Sequence, residues 1–219
     1  MLYPDEATFT AMRMQMVEHQ LRRRGIEDAR VLDAMSRVPR HAFVPRHCQT
    51  QAYDDYPLPI GEEQTISQPF IIGHMLELLT LTATGRVLEI GTGSGYVTAL
   101  LAELSSHVVS MERHATLASR AQEVLTRLGY SNVEIIVGDG MQGAMHSAPY
   151  QAILVSAAAP EVPSELLDQL AEAGRLVIPV GPPQTQQLQR IQILGGQPAT
   201  QLWEFCRFVP LVPGVKSPS

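Results

Sequence analysis

At 219 residues, with 45% apolar and 17% charged side chains, the chain is long enough for one sizeable core and has an ordinary globular composition. Sixteen basic against 22 acidic residues leave a formal charge of -6, which excludes general electrostatic attraction to nucleic acid or an anionic membrane. The only cysteines, Cys48 and Cys206, suggest neither a disulfide framework nor a zinc site; no apolar run approaches the ~20 residues of a membrane span, and the N-terminus lacks the layout of a secretory signal, so a cytoplasmic location is expected.

From Glu6 to Arg24, apolar Phe9, Met12, Met16, Val17 and Leu21 recur at helical spacing. Arg22, Arg23 and Arg24 fall in the last turn, where cations complement the helix dipole, and Gly25 supplies a stop. A second helix is predicted from Asp28 to Ser36. Pro39, Pro45, Pro57, Pro59, Gly61 and Pro69 then break any regular element between them. Phe43, Val44, Tyr53, Tyr56, Leu58, Ile60 and Ile66 make that stretch too apolar for disorder, so it reads as a long ordered and functional loop.

After Pro69 the pattern becomes a regular alternation. A helix over Phe70 to Leu79 leads to a strand at Arg86 to Ile90, a helix through Thr98 to Leu104, and a strand at Val108 to Met111. A helix over Ala115 to Leu128 follows, with strands at Val133 to Val137 and Ala152 to Ser156. Pro163 and Ser164 open a helix ending near Gly174, before a strand at Leu176 to Val180. Leu188 to Leu194 and Trp203 to Val209, joined through Gly195-Gly196, read as an antiparallel edge. The expected fold is α/β: a doubly wound, mostly parallel sheet behind N-terminal helices. One domain is expected, with helices and a covering loop in 1–69, a ligand-binding core in 70–181 and antiparallel strands and tail in 182–219.

The stretch Val87-Leu88-Glu89-Ile90-Gly91-Thr92-Gly93-Ser94-Gly95-Tyr96 runs an apolar strand into a loop with glycine at every second position. Backbone there can approach a ligand that side chains would hold off. A dinucleotide fingerprint wants a third glycine where Tyr96 stands, which disfavours a nicotinamide cofactor. No phosphate-gripping lysine follows, so a ligand without phosphate fits better. Glu112 ends the next strand, 21 positions after Gly91, where a carboxylate accepts from both ribose hydroxyls. Gly138-Asp139-Gly140 follows the third strand on the same sheet edge, the edge at which open parallel sheets bind ligands. Gly91, Gly93 and Gly95 thus offer a backbone cradle, Glu112 a ribose acceptor, and Asp139 with Gly140 an adenine-side acceptor. Glu89, a carboxylate inside an apolar strand, is expected to orient the loop's backbone amides, because buried unpaired it is costly.

These residues resemble a class I S-adenosylmethionine-dependent methyltransferase, with a Rossmann-like fold. Leu58-Pro59-Ile60-Gly61 and Gln64-Thr65-Ile66-Ser67-Gln68-Pro69 narrow the resemblance to the protein-L-isoaspartate (D-aspartate) O-methyltransferase family. The likeness extends to Val38-Pro39-Arg40-His41-Ala42-Phe43-Val44-Pro45 upstream, and to Ala157-Ala158-Ala159-Pro160, Pro179-Val180-Gly181 and Arg207-Phe208-Val209-Pro210-Leu211 downstream. It implies methylation of the free α-carboxyl of L-isoaspartyl residues in damaged proteins, with S-adenosyl-L-methionine as donor. The ester, a better leaving group than a carboxylate, then closes to a succinimide that partly hydrolyses to normal aspartate. The resemblance places Gln64, Thr65, Ile66 and Ser67 by the cofactor, in a loop that closes over it, with Ser67 catalytic through orienting the acceptor carboxylate. It gives the substrate groove to Pro59, Ile60, Gly61, Val209, Pro210 and Leu211.

The chemistry itself asks little of acid-base groups. A carboxylate is already ionised at neutral pH and a sulfonium already activated, so proximity and alignment can supply roughly 7 to 11 kcal/mol. Accordingly no metal is expected, and none of the seven histidines is given a catalytic role. Ser67 also suits the cap of the helix that begins near Pro69. The chain departs from the family pattern at Glu63, commonly glycine, at Gln151, commonly aspartate, and at Ser156, commonly threonine. A monomer acting on isoaspartyl proteins is the leading expectation; a methyltransferase that matures one ribosomally made peptide and a binding module without turnover are the alternatives.

Overall fold

The computed structural model describes residues 3–216. Asp5 caps the first helix, α1 (Glu6–Met16), by accepting from the Thr8 amide at 2.8 Å. The single long helix predicted here changes its winding: Val17–Leu21 forms a π turn and Arg22–Arg24 a 3-10 turn closed by left-handed Gly25. The wider turn lets consecutive Met16 and Val17, as well as Leu21, all stay buried. Asp28 caps α2 (Ala29–Arg37) through the amides of Arg30 and Val31.

The proline-rich stretch is ordered, as its apolar content requires, but it is not one loop. Two 3-10 turns, Arg40–Phe43 and Arg46–Gln51, lead into an antiparallel hairpin of β1 (Leu58–Gly61) and β2 (Gln64–Ile66). Pro59 masks β1 in the sequence, although a two-stranded hairpin tolerates it at a free edge. The connecting turn masks it further, since Glu62 and Glu63 both take positive φ, 51° and 59°, where asparagine or glycine is the usual signal. α3 (Pro69–Leu79) follows, with proline in its first turn.

The main sheet alternates with helices: β3 (Arg86–Ile90), α4 (Tyr96–Leu104), β4 (His107–Glu112), α5 (Ala115–Arg127), β5 (Val133–Val137), β6 (Tyr150–Val155), α6 (Ser164–Leu167), β7 (Leu170–Val180), β8 (Gln186–Leu194) and β9 (Gln197–Cys206). The strand order is β5-β4-β3-β6-β7-β8-β9. β3 to β7 pair in parallel, and β8 and β9 add an antiparallel edge, so the expected sheet is present. Alternate residues face opposite ways: Val87, Val108, Ala152 and Val177 pack under α1 to α5, and Leu88, Val109, Ile153 and Leu176 on the other face under α6 and Leu211.

The larger departures from the predicted bounds lie at the α6–β7 joint and in the last strand. The helix expected to reach Gly174 stops at Leu167, because fully buried Gln169 bonds Glu165 O, Gln142 O and the Ala144 amide, each at 2.8 Å. Leu170 then pairs with Tyr150, and sheet pairing overrides the helical composition of Leu-Ala-Glu-Ala. The last strand runs from Gln197 rather than Trp203 and ends at Cys206, since the tight Gly195-Gly196 turn starts pairing at once, Leu194 opposite Gln197.

Candidate functional site

The carboxyl ends of β3, β4 and β5 lie side by side, and a cavity of about 330 Å³ opens beyond them. It collects residues from opposite ends of the sequence: Gly91 and Gly93, Glu112, Gly140, the hairpin residues Gln64 to Ser67, and Val209, Pro210 and Leu211. Donor-side and acceptor-side expectations therefore meet in one space.

The glycine loop turns back under the next strand. Gly91 N and Thr92 N donate to Met111 O at 2.8 and 3.2 Å, and Gly95 N to Thr92 O at 2.8 Å. Gly93 takes φ 52°, and a side chain there would reach Ile60. Gly95, at φ 87°, does not line the cavity; a Cβ there would come within 3.1 Å of Ala121, so this glycine serves the packing of α4 on α5 instead of ligand contact.

Glu112 and Glu89 divide the work differently from expectation. It is Glu112 that orients the loop: its Oε2 accepts from Gly93 N at 2.8 Å and its Oε1 from His114 N at 2.9 Å. A carboxylate offers about four acceptor sites, so two remain for a diol. Glu89 touches no loop amide. Thr98 Oγ1 and Ser110 Oγ both lie 2.5 Å from its Oε2, and Ser110 Oγ lies 2.5 Å from Thr92 Oγ1. Its link to the loop runs through hydroxyls. Complete burial pushes the Glu89 carboxyl up to about 8 although those hydroxyls pull it down, so it is protonated at neutral pH.

Asp139 does not line the cavity either. Its Oδ1 accepts from Met141 N at 3.0 Å and its Oδ2 from Gly214 N at 2.8 Å, so it caps a short turn and holds the C-terminal segment. That segment is also fastened by Ala158 N to Val209 O at 2.8 Å and Leu211 N to Ala158 O at 2.7 Å, and it forms one wall. Of the substrate residues expected on β1, Pro59 and Gly61 are exposed, and Ile60 lines an adjoining cavity of about 350 Å³ that shares Gly93 and Ser94.

Ser67 lines the main cavity and is half-buried. Gln68 occupies the cap position of α3, without a side-chain cap bond, so Ser67 is released from that role. Sequence reasoning missed Arg113, His114 and Lys216 on the wall. His114 is buried, its Nδ1 3.5 Å from Glu62 Oε2 in the hairpin turn, and the main-chain carbonyl of its neighbour Arg113 accepts from Lys216 N at 2.8 Å. For Arg113 and His114 the available signal was adjacency to Glu112; nothing local in the sequence marks Lys216. Among the described residues no group of three His, Cys, Asp or Glu side chains is placed to hold a metal ion.

A parallel sheet with a glycine loop that no phosphate-gripping lysine follows, a carboxylate at the end of the next strand and a separate covering segment is the arrangement of a class I methyltransferase. The family model described as protein-L-isoaspartate(D-aspartate) O-methyltransferase matches residues 12–216, and the chain belongs to that family. A protein-L-isoaspartate O-methyltransferase of Methanoculleus marisnigri is 54% identical over 201 residues, 91% of each chain. One from Koribacter versatilis is 47% identical over 209 residues, 95% of this chain and 94% of that one. Among solved structures, a Plasmodium falciparum protein described as a protein-L-isoaspartate O-methyltransferase, in complex with S-adenosyl-L-homocysteine, superposes with a TM-score of 0.80 at 30% identity, covering 91% of this chain and 98% of that one.

Proposed function

We propose that this chain transfers a methyl group from S-adenosyl-L-methionine to the free α-carboxyl of L-isoaspartyl residues in damaged proteins and peptides, the first step of their repair. The observation that carries the reading is the single cavity in which Glu112 and the glycine loop face Ser67 and Val209 to Leu211. Bound there, S-adenosyl-L-methionine supplies a methyl group already activated on a sulfonium. Glu112 keeps two acceptor sites for the ribose diol, and Gly91 and Gly93 give close backbone approach. Gln64, Thr65 and Ile66 cover the donor and exclude water. Ser67, free of its helix-cap duty, offers its hydroxyl to the acceptor carboxylate and holds it in line. Gly140 closes the adenine side, with His114 in place of the expected Asp139.

Relatives named for isoaspartate along nearly the whole chain support repair over the maturation of a single peptide. We place the protein in the cytoplasm as a single-domain monomer; its two cysteines are both free, and no helix among the described residues is long and apolar enough to cross a membrane. The test is purified protein with labelled S-adenosyl-L-methionine and two peptides that differ only in isoaspartyl or aspartyl linkage. Base-labile label on the isoaspartyl peptide alone is expected; equal labelling of both, or of neither, overturns the reading.

A further inference from the structure

Arg40, which opens the first 3-10 turn, is completely buried, a setting arginine rarely occupies without a carboxylate partner. No carboxylate lies within ion-pair distance of it among the described residues: Asp55, which acts on it through space, pairs with Arg24 instead at 2.5 Å. Its Nε donates to Ala52 O and its Nη2 to Ser67 O, both at 2.7 Å. The guanidinium carbon lies 5.0 Å from the ring centre of Tyr96, the first residue of α4 after the glycine loop, and Phe43 packs edge-on against that ring with centroids 5.7 Å apart.

Burial pulls the guanidinium down to about 10, which still leaves it charged at neutral pH. An apolar side chain of similar volume would fill the space without the desolvation cost, so packing alone does not account for an arginine. Its contacts do. One is the carbonyl of the serine assigned to the acceptor; another is the helix that leaves the donor's loop. A second restraint on the same peptide comes from Gln68 Nε2, which donates to Asp55 O at 3.1 Å.

We infer that Arg40 is a positioning residue for methyl transfer: it ties the Ser67 backbone to the helix that leaves the glycine loop and so sets the distance between acceptor and donor. The inference rests on the assignment of Ser67 to the acceptor. A misplacement of about 1 Å between reacting groups costs on the order of 100-fold in rate, so a rigid tether at this joint affects turnover far more than binding.

The experiment is a double-mutant cycle of Arg40→Met and Ser67→Ala, with kcat on an isoaspartyl peptide and the dissociation constant of S-adenosyl-L-homocysteine both measured. Arg40→Met is expected to lower kcat about tenfold or more with the dissociation constant changed less than about twofold, and to lower kcat less than about threefold in the Ser67→Ala background. Independent multiplication of the two losses, or kcat and binding falling together, overturns the inference. Arg40→Lys keeps the charge but cannot span both carbonyls; it should recover part of kcat, and it carries the cycle if Arg40→Met does not fold. Hydrogen exchange of a peptide spanning residues 62–70 reads the tether without turnover: acceleration in the variant with β6 and β7 unchanged is expected, and unchanged exchange removes the tether. Failure of the wild type to methylate the peptide counts against the proposed function instead, and is seen separately.

Discussion

The glycine loop between β3 and α4 and the segment from Pro39 to Pro69 sit on the same cavity, yet they are built in opposite ways. The loop is local: Gly91, Thr92 and Gly95 are held by bonds to Met111 and to one another, and Gly93 by Glu112 at the end of the adjacent strand. The segment is held by contacts between residues far apart in sequence, by Arg40 reaching Ser67 within it and from outside by Gln20 Nε2 donating to Tyr53 O at 2.7 Å and by His114 beside Glu62. A donor common to many reactions is met by geometry that any parallel sheet provides, whereas the acceptor is met by a part assembled from remote contacts.

The strongest way to break the donor side is Gly93→Val. A β-branched residue is strained at φ 52°, so cofactor affinity should fall by ~100-fold or more with the circular dichroism spectrum retained. Calorimetry checks it, and an unchanged dissociation constant removes the loop from donor binding.

Glu89 sharpens the same side through pH. Its folded-state pKa of about 8 lies above the ordinary 4.5, so the folded protein keeps a proton that the unfolded chain releases. The group's contribution therefore falls as pH rises from about 4.5 to 8, by up to ~1.4 kcal/mol per pH unit, and levels off above that. Glu89→Gln should flatten the decline between pH 5 and 8 in urea unfolding; an identical slope in the variant contradicts the buried neutral acid.

Asp139→Ala frees Gly214 and Met141, so the C-terminal wall should loosen, with stability lower by about 1 kcal/mol and the acceptor KM raised severalfold. Equal acceptor KM in variant and wild type separates that wall from substrate binding. Smallest is Glu63→Gly in the hairpin turn, where relief of a left-handed glutamate outweighs the added freedom of the unfolded chain, a gain of about 0.5 kcal/mol. Thermal unfolding measures it, and a lower midpoint refutes strain at that turn.

The sequence made the parallel core readable because every relevant signal is local. Apolar runs, a glycine loop and a carboxylate at the strand end define β3, α4 and β4 within a few residues. Glu112, expected from its strand end, and Ser67, expected from the family resemblance, both line the cavity; the side chains that hold them were not readable from the sequence. That Glu112 holds the Gly93 amide while Glu89 bonds hydroxyls depends on which side chain reaches across β4, a matter of tertiary geometry. Asp139 has the strand-end position of a ligand acceptor, but its carboxylate turns to Met141 and to Gly214, 75 residues later, and lies outside the cavity lining. The hairpin carries no local signal, because its turn is Glu-Glu and its first strand contains Pro59.

The claim that Glu112 serves the donor and Ser67 the acceptor is tested most directly by measuring two constants in two variants. For Glu112→Ala the account predicts a weaker S-adenosyl-L-homocysteine dissociation constant, by roughly 10-fold or more, with kcat at saturating donor nearly kept. For Ser67→Ala it predicts the reverse, an unchanged dissociation constant with kcat down by about 100-fold. Both constants shifting together in both variants would contradict it.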